Sequence, residues 1–198
     1  TIGTIYTLGI LPSSEYFSDP HYNYSGDFDG DGINDCLKKL KPGGHIPGDP
    51  QWFMYTMRTT TLNSFMSRKY SGTIPSWGDK DYSGDFNGDG KTDIWIFDSN
   101  GVKIYTINGN SLTTLYSGSY PKKDHLFRLG DFNGDGKTDI FVYGSGSHEW
   151  SQWQFRLSTG TGFVAIYFNK KKSDLKSDVV YTGDFNGDGR TDILALSK

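Results

Sequence analysis

The sequence predicts an all-β protein built from repeated antiparallel units. Glycine is abundant, with 26 residues, and aromatic residues make up 16% of the chain. Short aromatic runs separated by glycine-rich turns are typical of β-sheet proteins. A ten-residue unit that begins Gly-Asp-Phe occurs four times. No stretch keeps the periodicity of an amphipathic helix, so we expect strands and turns throughout.

The repeat is the strongest signal in the chain. It reads GDFDGDGIND at residues 26–35, GDFNGDGKTD at 84–93, GDFNGDGKTD again at 130–139, and GDFNGDGRTD at 183–192. The first aspartates of successive copies are 58, 46 and 53 residues apart. Such a period indicates a repeat architecture with one supersecondary unit per copy.

The segments between the copies have the pattern of strands. The second copy is followed by three β-branched and aromatic runs, Ile94–Phe97, Val102–Ile107 and Leu112–Tyr116, with Asn-Gly turns between them. The third copy is followed by the same arrangement. Together with the strand that enters each loop, every unit offers four strands, which is the size of a propeller blade. The predicted fold class is therefore a β-propeller of four-stranded antiparallel blades with about four repeats.

The two ends of the chain bear on how the repeats are arranged. Only one predicted strand follows the fourth copy, whereas two predicted strands, Gly3–Leu8 and Glu15–Ser18, precede the first. Two arrangements stay open: a closed ring of four blades in which the termini share a blade, and an arc of a larger propeller. We predict one repeat domain over residues 1–198, with approximate units 19–80, 81–125, 126–178, and 179–198 completed by 1–18.

Each repeat carries a candidate calcium loop. Counting from its first aspartate, oxygen-bearing side chains stand at positions one, three, five and nine, and position seven can add its backbone carbonyl. Glycines such as Gly88 and Gly90 permit the left-handed backbone of a tightly wound loop. Ca²⁺ takes six to eight oxygen ligands. The candidate ligands are Asp27, Asp29, Asp31, Ile33, Asp35, Asp85, Asn87, Asp89, Lys91, Asp93, Asp131, Asn133, Asp135, Lys137, Asp139, Asp184, Asn186, Asp188, Arg190 and Asp192.

Other interpretations of the loops are weaker. Asn-Gly and Asp-Gly also favour ordinary polar turns, but without an ion 13 carboxylates would crowd into four small clusters and repel one another. Soft metals are disfavoured because no loop contains cysteine or histidine. Mg²⁺ usually retains several waters. An EF-hand needs a glutamate at position twelve, which all four loops lack.

Composition excludes several classes of function. A formal net charge of -3 gives no nucleic-acid footprint, and no apolar run is long enough to span a membrane. Cys36 is the only cysteine, so an internal disulfide is impossible, and we expect a small buried side chain there.

The loop followed by an aromatic strand resembles the FG-GAP/VCBS repeats of integrin-α-type propellers and of many secreted bacterial proteins. The resemblance implies that the loop joins the first two strands of a blade and holds Ca²⁺ through the positions named above. A second segment, WSQWQFRLSTGTGF from Trp150 to Phe163, resembles Rhs-type and Tc-toxin B-component propellers. In those large secreted proteins the repeats help to build or seal a shell around a toxic cargo, and the likeness implies a similar role for this chain.

The function expected first is a calcium-stabilised extracellular interaction or scaffold module, secreted or on a cell surface, with about four structural ions. Its protein or glycan partner is not predicted, and the chain could be part of a larger polypeptide. A lectin-like propeller is the alternative, with Trp77, Trp150 and Trp153 as candidate sugar-stacking residues. A polysaccharide-acting enzyme is the third hypothesis and the least favoured. It would need acid and base residues, and the histidines are scattered without a shared spacing, at His21, His45, His125 and His148.

Overall fold

The protein is represented by a computed structural model. It describes residues 21–40, 51–59, 64–74, 80–98, 101–118, 125–144, 152–171 and 179–196. Every regular element in these stretches is a β-strand, so the predicted all-β class is confirmed. Within the same stretches, no helix is long and apolar enough to cross a membrane.

The first sheet consists of β1 (His21–Gly26), β2 (Asp35–Leu40), β3 (Trp52–Thr59) and β4 (Ser64–Gly72), hydrogen-bonded in that order. All neighbours are antiparallel. Gly26 pairs with Asp35, so the first acidic loop closes the hairpin of β1 and β2. The sequence of β2 is rich in lysine and a poor strand by composition, yet β2 pairs with both of its neighbours.

The second sheet is built in the same way. It consists of β5 (Lys80–Gly84), β6 (Asp93–Asp98), β7 (Gly101–Asn108) and β8 (Ser111–Gly118), again in sequence order. Gly109, between β7 and β8, has a φ of 60°. Only glycine and a few polar residues adopt this left-handed conformation readily, which explains the Asn-Gly signal at this turn.

The third sheet repeats the arrangement once more, with β9 (His125–Gly130), β10 (Asp139–Gly144), β11 (Gln152–Ser158) and β12 (Phe163–Lys171). Its strands are antiparallel neighbours in sequence order. Four-stranded antiparallel sheets of this kind are the blades of β-propellers. The predicted blade type is therefore confirmed, and the choice between a closed ring and an arc stays a prediction.

The fourth sheet has two strands in the described part of the chain, β13 (Val179–Gly183) and β14 (Asp192–Leu196). They pair from Val179–Leu196 to Gly183–Asp192 around the last acidic loop. The predicted contribution of residues 1–18 to this sheet falls outside the described residues.

The contacts of the chain divide it into two compact units: residues 1–83, 90–99 and 103–114 form one, and residues 84–89, 100–102 and 115–198 form the other. The first unit has a core cluster of buried side chains, namely Phe28, Leu37, Trp52, Met54, Ile74, Ile94, Ile96, Tyr105 and Ile107. Since Phe28 belongs to an acidic loop, that loop is anchored directly in the core.

The second unit has an aromatic cluster centred on Phe141, Tyr143 and Val180. The rings of Phe132 and Phe155 lie 4.7 Å apart, and Phe155 lies 5.0 Å from Phe141. Aromatic pairs at these separations add stability beyond the area they bury. Some of the aromatic residues of the chain thus pack together in the core of this unit.

One face of β13 and β14 is apolar and exposed. Val179 pairs with Leu196 and Tyr181 with Leu194, so the four side chains share a face, and each is between 39% and 51% exposed. The opposite face carries Val180, which is buried in the aromatic cluster. In the second unit, this hairpin therefore buries one of its two faces.

A buried ion pair lies inside the first unit. The Lys39 ammonium donates to Asp81 Oδ2, and the Tyr24 hydroxyl donates to the same oxygen over 2.8 Å. The two charged side chains are only 3% and 1% exposed. Burial lowers the pKa of Lys39 to about 8. The pair explains how a lysine-rich strand can turn one of its lysines inward.

Candidate metal-binding loops

The first aspartate of each loop organises the loop backbone. Asp27 Oδ1 accepts hydrogen bonds from the amides of Gly30 and Asp31, at 2.7 and 3.1 Å, and Oδ2 accepts one from Gly32 at 2.8 Å. Asp131 and Asp184 each accept the same three bonds. These carboxylates therefore fix the conformation of the loop backbone through three hydrogen bonds each.

Two glycines in every loop have the left-handed conformation predicted from the sequence. In the first loop, φ is 79° at Gly30 and 82° at Gly32. The equivalent glycines of the other loops have φ between 77° and 83°, namely Gly88, Gly90, Gly134, Gly136, Gly187 and Gly189. A side chain at these positions would be strained, so the winding itself accounts for the Gly-Asp-Gly pattern.

The side chains at positions three and five turn back into the loop. In the third loop, Asn133 Oδ1 accepts the amide of Asp135 at 3.0 Å, and Asp135 Oδ1 accepts the amide of Lys137 at 2.9 Å. The first and fourth loops contain the same two bonds. Side-chain oxygens at alternate positions therefore bind backbone amides of their own loop.

The ninth position is an aspartate at the start of the second strand, which is buried in the first three loops and half-buried in the fourth. Asp35 Oδ2 accepts the Phe28 amide at 2.9 Å, and Asp139 Oδ2 accepts the Phe132 amide at 3.0 Å. Asp35 and Asp139 are 2% and 0% exposed. Burial raises the pKa of each to about 6, against the lowering effect of these amides. Each carboxylate is thus held where its negative charge lacks solvation.

The first loop brings three carboxylates together. One oxygen each from Asp27, Asp29 and Asp35 lies within 4.8 Å of the others, the one such acidic group found among the described residues. The second oxygen of Asp35, Oδ1, is buried and makes no hydrogen bond of good geometry, although the Thr56 hydroxyl helps to lower the pKa of this group. Converging hard oxygens that include a buried acceptor fit a hard divalent cation.

Basic side chains border these loops, which the sequence analysis did not foresee. Lys137 Nζ lies 3.1 Å from Asp135 Oδ2, and Arg190 Nη2 lies 2.6 Å from Asp188 Oδ2. The hydrogen bond from Arg190 lowers the pKa of Asp188. Position seven, predicted to offer only its carbonyl, therefore also carries a charge partner for position five in the third and fourth loops.

Position eight links successive loops. The Thr92 amide donates to the Asp27 carbonyl over 2.6 Å within the first unit. Within the second unit, the Thr138 amide donates to Asp85 over 2.6 Å, and the Thr191 amide donates to Asp131 over 2.7 Å. The recurrence of threonine before the last aspartate is the sequence signal that could have revealed this role.

The turn between β11 and β12 supports two loops of the second unit. The Ser158 amide donates to Asp139 Oδ1 over 2.7 Å, and the Ser158 hydroxyl donates to the Phe86 carbonyl over 2.5 Å. Asp139 thus accepts a backbone amide on each of its oxygens. The STGTGF segment has a structural task at this point of the repeat.

The aromatic and histidine candidates are placed only in part. Trp52 and Trp95 are buried in the first unit and are not available to stack on a sugar. Trp153 is half-buried and lies 5.2 Å from Phe141. Trp77 and Trp150 fall outside the described residues, as do the side chains of the four histidines.

These features define a class of protein: an all-β repeat protein in which an acidic, glycine-containing loop connects the first two strands of each sheet. The family model described as FG-GAP-like repeat matches residues 85–142 and 131–195, which together make up more than half of the chain. The chain therefore belongs to the FG-GAP-like repeat family. A comparison with curated proteins finds no match.

A solved structure shares the fold. It is a lectin from Agrocybe aegerita described as specifically recognising non-reducing terminal N-acetylglucosamine. The TM-score is 0.63 at 20% sequence identity, over 90% of this chain and 47% of the lectin chain. The chain thus spans about half the length of this relative, and the likeness concerns the fold.

Proposed function

We propose that the chain is a calcium-stabilised interaction or scaffold module of the extracellular space, with one structural Ca²⁺ in each of its four acidic loops. The observation that carries the proposal is the first loop, where Asp27, Asp29 and Asp35 converge on one point. The other loops share its glycine conformation and its first-position aspartate. A common backbone geometry supports a common ligand.

The donor set favours calcium over other cations. Each loop would supply side-chain oxygens from positions one, three, five and nine and the carbonyl of position seven. In the third loop these residues are Asp131, Asn133, Asp135, Asp139 and Lys137. Ca²⁺ tolerates such a flexible all-oxygen set, whereas Mg²⁺ demands a near-octahedral one and usually keeps waters.

A bound ion would act on stability. It would place positive charge between the aspartates at the first and ninth positions of the loop. Burial raises the pKa of carboxylates such as Asp35 and Asp139, because their negative charge is held away from solvent. A bound cation would offset that cost. Binding energy at such a site is folding energy. Calcium at the millimolar concentration typical of extracellular fluid suits modest sites of this type, which supports a secreted or surface location.

The proposal assigns the chain binding and not catalysis, as an independent module or as part of a larger secreted polypeptide. Membership of a toxin-associated shell is a finer version that rests on the STGTGF segment. Ser158 in that segment supports Asp139 and the Phe86 carbonyl. A structural task of this kind would preserve the segment in other settings too.

Counting ions per chain by native mass spectrometry tests the proposal. Titration with Ca²⁺ is expected to load about four ions, and equal Mg²⁺ to load fewer. The isosteric change Asp135→Asn removes one ligand charge from the third loop and should lower the calcium affinity of that site by at least about tenfold. Asp124→Asn, outside the loops, is the matched control. A chain that binds no calcium at millimolar concentration would refute the assignment.

Carbohydrate binding is the second candidate, because the solved structure that shares the fold is a lectin. A glycan array in excess calcium, including glycans with terminal N-acetylglucosamine, tests it directly. Binding that is lost on Trp77→Ala supports a sugar site that includes this residue. Silence across the array would remove this candidate and leave a protein partner.

A further inference from the structure

The first loop differs from the other three in its charge. Its third position is Asp29, whereas the other loops have asparagine there, at Asn87, Asn133 and Asn186. It therefore holds four carboxylates where each other loop holds three. Like charges this close together repel one another and destabilise the loop.

Lys69 meets this additional charge. Its ammonium lies 2.6 Å from Asp29 Oδ2, and it reaches the loop from β4, 40 residues away in sequence. The Asp29 side chain is 7% exposed and the Lys69 side chain is 32% exposed. Since Asp29 is partly buried, this contact is screened by solvent less than a fully exposed surface pair.

The other oxygen of Asp29 faces the loop. Asp29 Oδ1 accepts the Asp31 amide at 3.2 Å, the same bond that Asn87 Oδ1 accepts from Asp89 at 2.9 Å in the second loop. Asp29 therefore occupies the place of the neutral amide with one oxygen and holds Lys69 with the other. The pair of Asp29 and Lys69 offers the loop an oxygen ligand whose charge is already balanced.

We propose that Lys69 is a built-in counter-cation of the first loop, which stabilises the calcium-free loop and lowers its affinity for calcium. The inference rests on the proposed function, since it assigns Lys69 a role toward the ion of that loop. The ammonium replaces part of the charge that an ion would bring and repels the ion once it is bound. Lys69 is thus the residue that sets the calcium concentration at which this loop fills.

The test compares Lys69→Met, Asp29→Asn and the double variant with the wild type. Methionine keeps the length of the side chain and removes the charge. Native mass spectrometry over a calcium titration should show one ion of the Lys69→Met chain binding at about tenfold lower free calcium. In excess chelator, the same variant should unfold a few degrees lower, since the carboxylates of the loop lose their partner. Lys69→Arg keeps the charge and should restore wild-type binding.

The Asp29→Asn background separates a specific effect from a general one. There Lys69→Met should change the calcium affinity and the calcium-free midpoint much less than in the wild-type background, because the carboxylate that Lys69 pairs with is gone. Arg68→Met is the matched control for the loss of one positive charge from β4. Arg68 precedes Lys69 on β4 and lies over the Phe53 ring, 5.8 Å from its centroid.

Two results overturn the inference while calcium binding stands: an unchanged affinity in Lys69→Met, or an equal shift in the Asp29→Asn background. A wild-type chain that binds no calcium is a different result. It refutes the proposed function and the role of Lys69 together.

Discussion

The first aspartate of each loop has a role that does not depend on any ion. Asp27 accepts three backbone amides within five residues, and Asp131 and Asp184 do the same. Hydrogen bonds to a carboxylate are stronger than those between neutral groups. The loop is therefore largely pre-formed around this residue, which reduces the ordering that a ligand must bring about.

Lys39 and Asp81 show what a buried charge requires. Both side chains are almost fully buried, and the Tyr24 hydroxyl adds a second donor to the same carboxylate oxygen. A buried ion pair contributes little net stability, but the loss of one partner leaves an uncompensated charge in the interior.

We predict that Lys39→Met destabilises the protein by about 3–5 kcal/mol, since Asp81 would remain buried without its cation. Urea unfolding in saturating calcium measures the change. Lys38→Met is the matched control, because Lys38 is the next residue on β2 and points to the opposite face. Equal decreases in the free energy of unfolding in the two variants would show that losing the cation of the buried pair has no particular cost.

At the scale of elements, close contacts join each loop to the next one along the chain. A side chain added at Gly84 would place Cβ 2.7 Å from Thr138, and one added at Gly130 would lie 2.5 Å from Thr191. Among the described residues, nothing lies nearer to a Cβ added at Gly183, the last residue of β13, than the ring of Phe185, at 3.4 Å. The glycine before the loop is therefore required by packing in the earlier repeats.

This asymmetry predicts different costs for one substitution. Gly84→Ala should destabilise by about 1–3 kcal/mol, the usual range for overpacking. Gly183→Ala should cost less than about 1 kcal/mol, since within the described part of the chain the added methyl group meets a movable ring at ordinary contact distance. Both are measured by urea unfolding in saturating calcium, which keeps ion binding constant. Similar costs would contradict the account of loop-to-loop packing.

How well the sequence predicts a feature of these elements depends on how far apart along the chain the interacting residues lie. Loop winding and strand positions follow from residues a few places apart, so the pattern of aspartate and glycine was enough. The partners of Lys39 and Lys69 lie 42 and 40 residues away. No local pattern reveals which aspartate each of these two lysines pairs with. The contact made by position eight was not predicted because its amide donates to a carbonyl in another loop of the chain.

At the scale of the whole molecule, four copies of one loop distribute the acidic charge evenly along the chain. The net charge of -3 is small, yet the carboxylates of each loop are concentrated at one point. A small net charge therefore hides a local excess of negative charge in each loop, which basic residues such as Lys69, Lys137 and Arg190 offset only in part. Bound cations would complete that balance in every repeat.

The most direct test of the central claim is thermal unfolding in excess chelator and in millimolar calcium, paired with a metal count per chain. We predict a calcium-dependent rise in the midpoint of more than about 10 °C, with about four ions bound, since each saturated site adds stability by mass action. An unchanged midpoint with no bound metal would contradict the account, because the acidic loops would then be turns that stand without an ion.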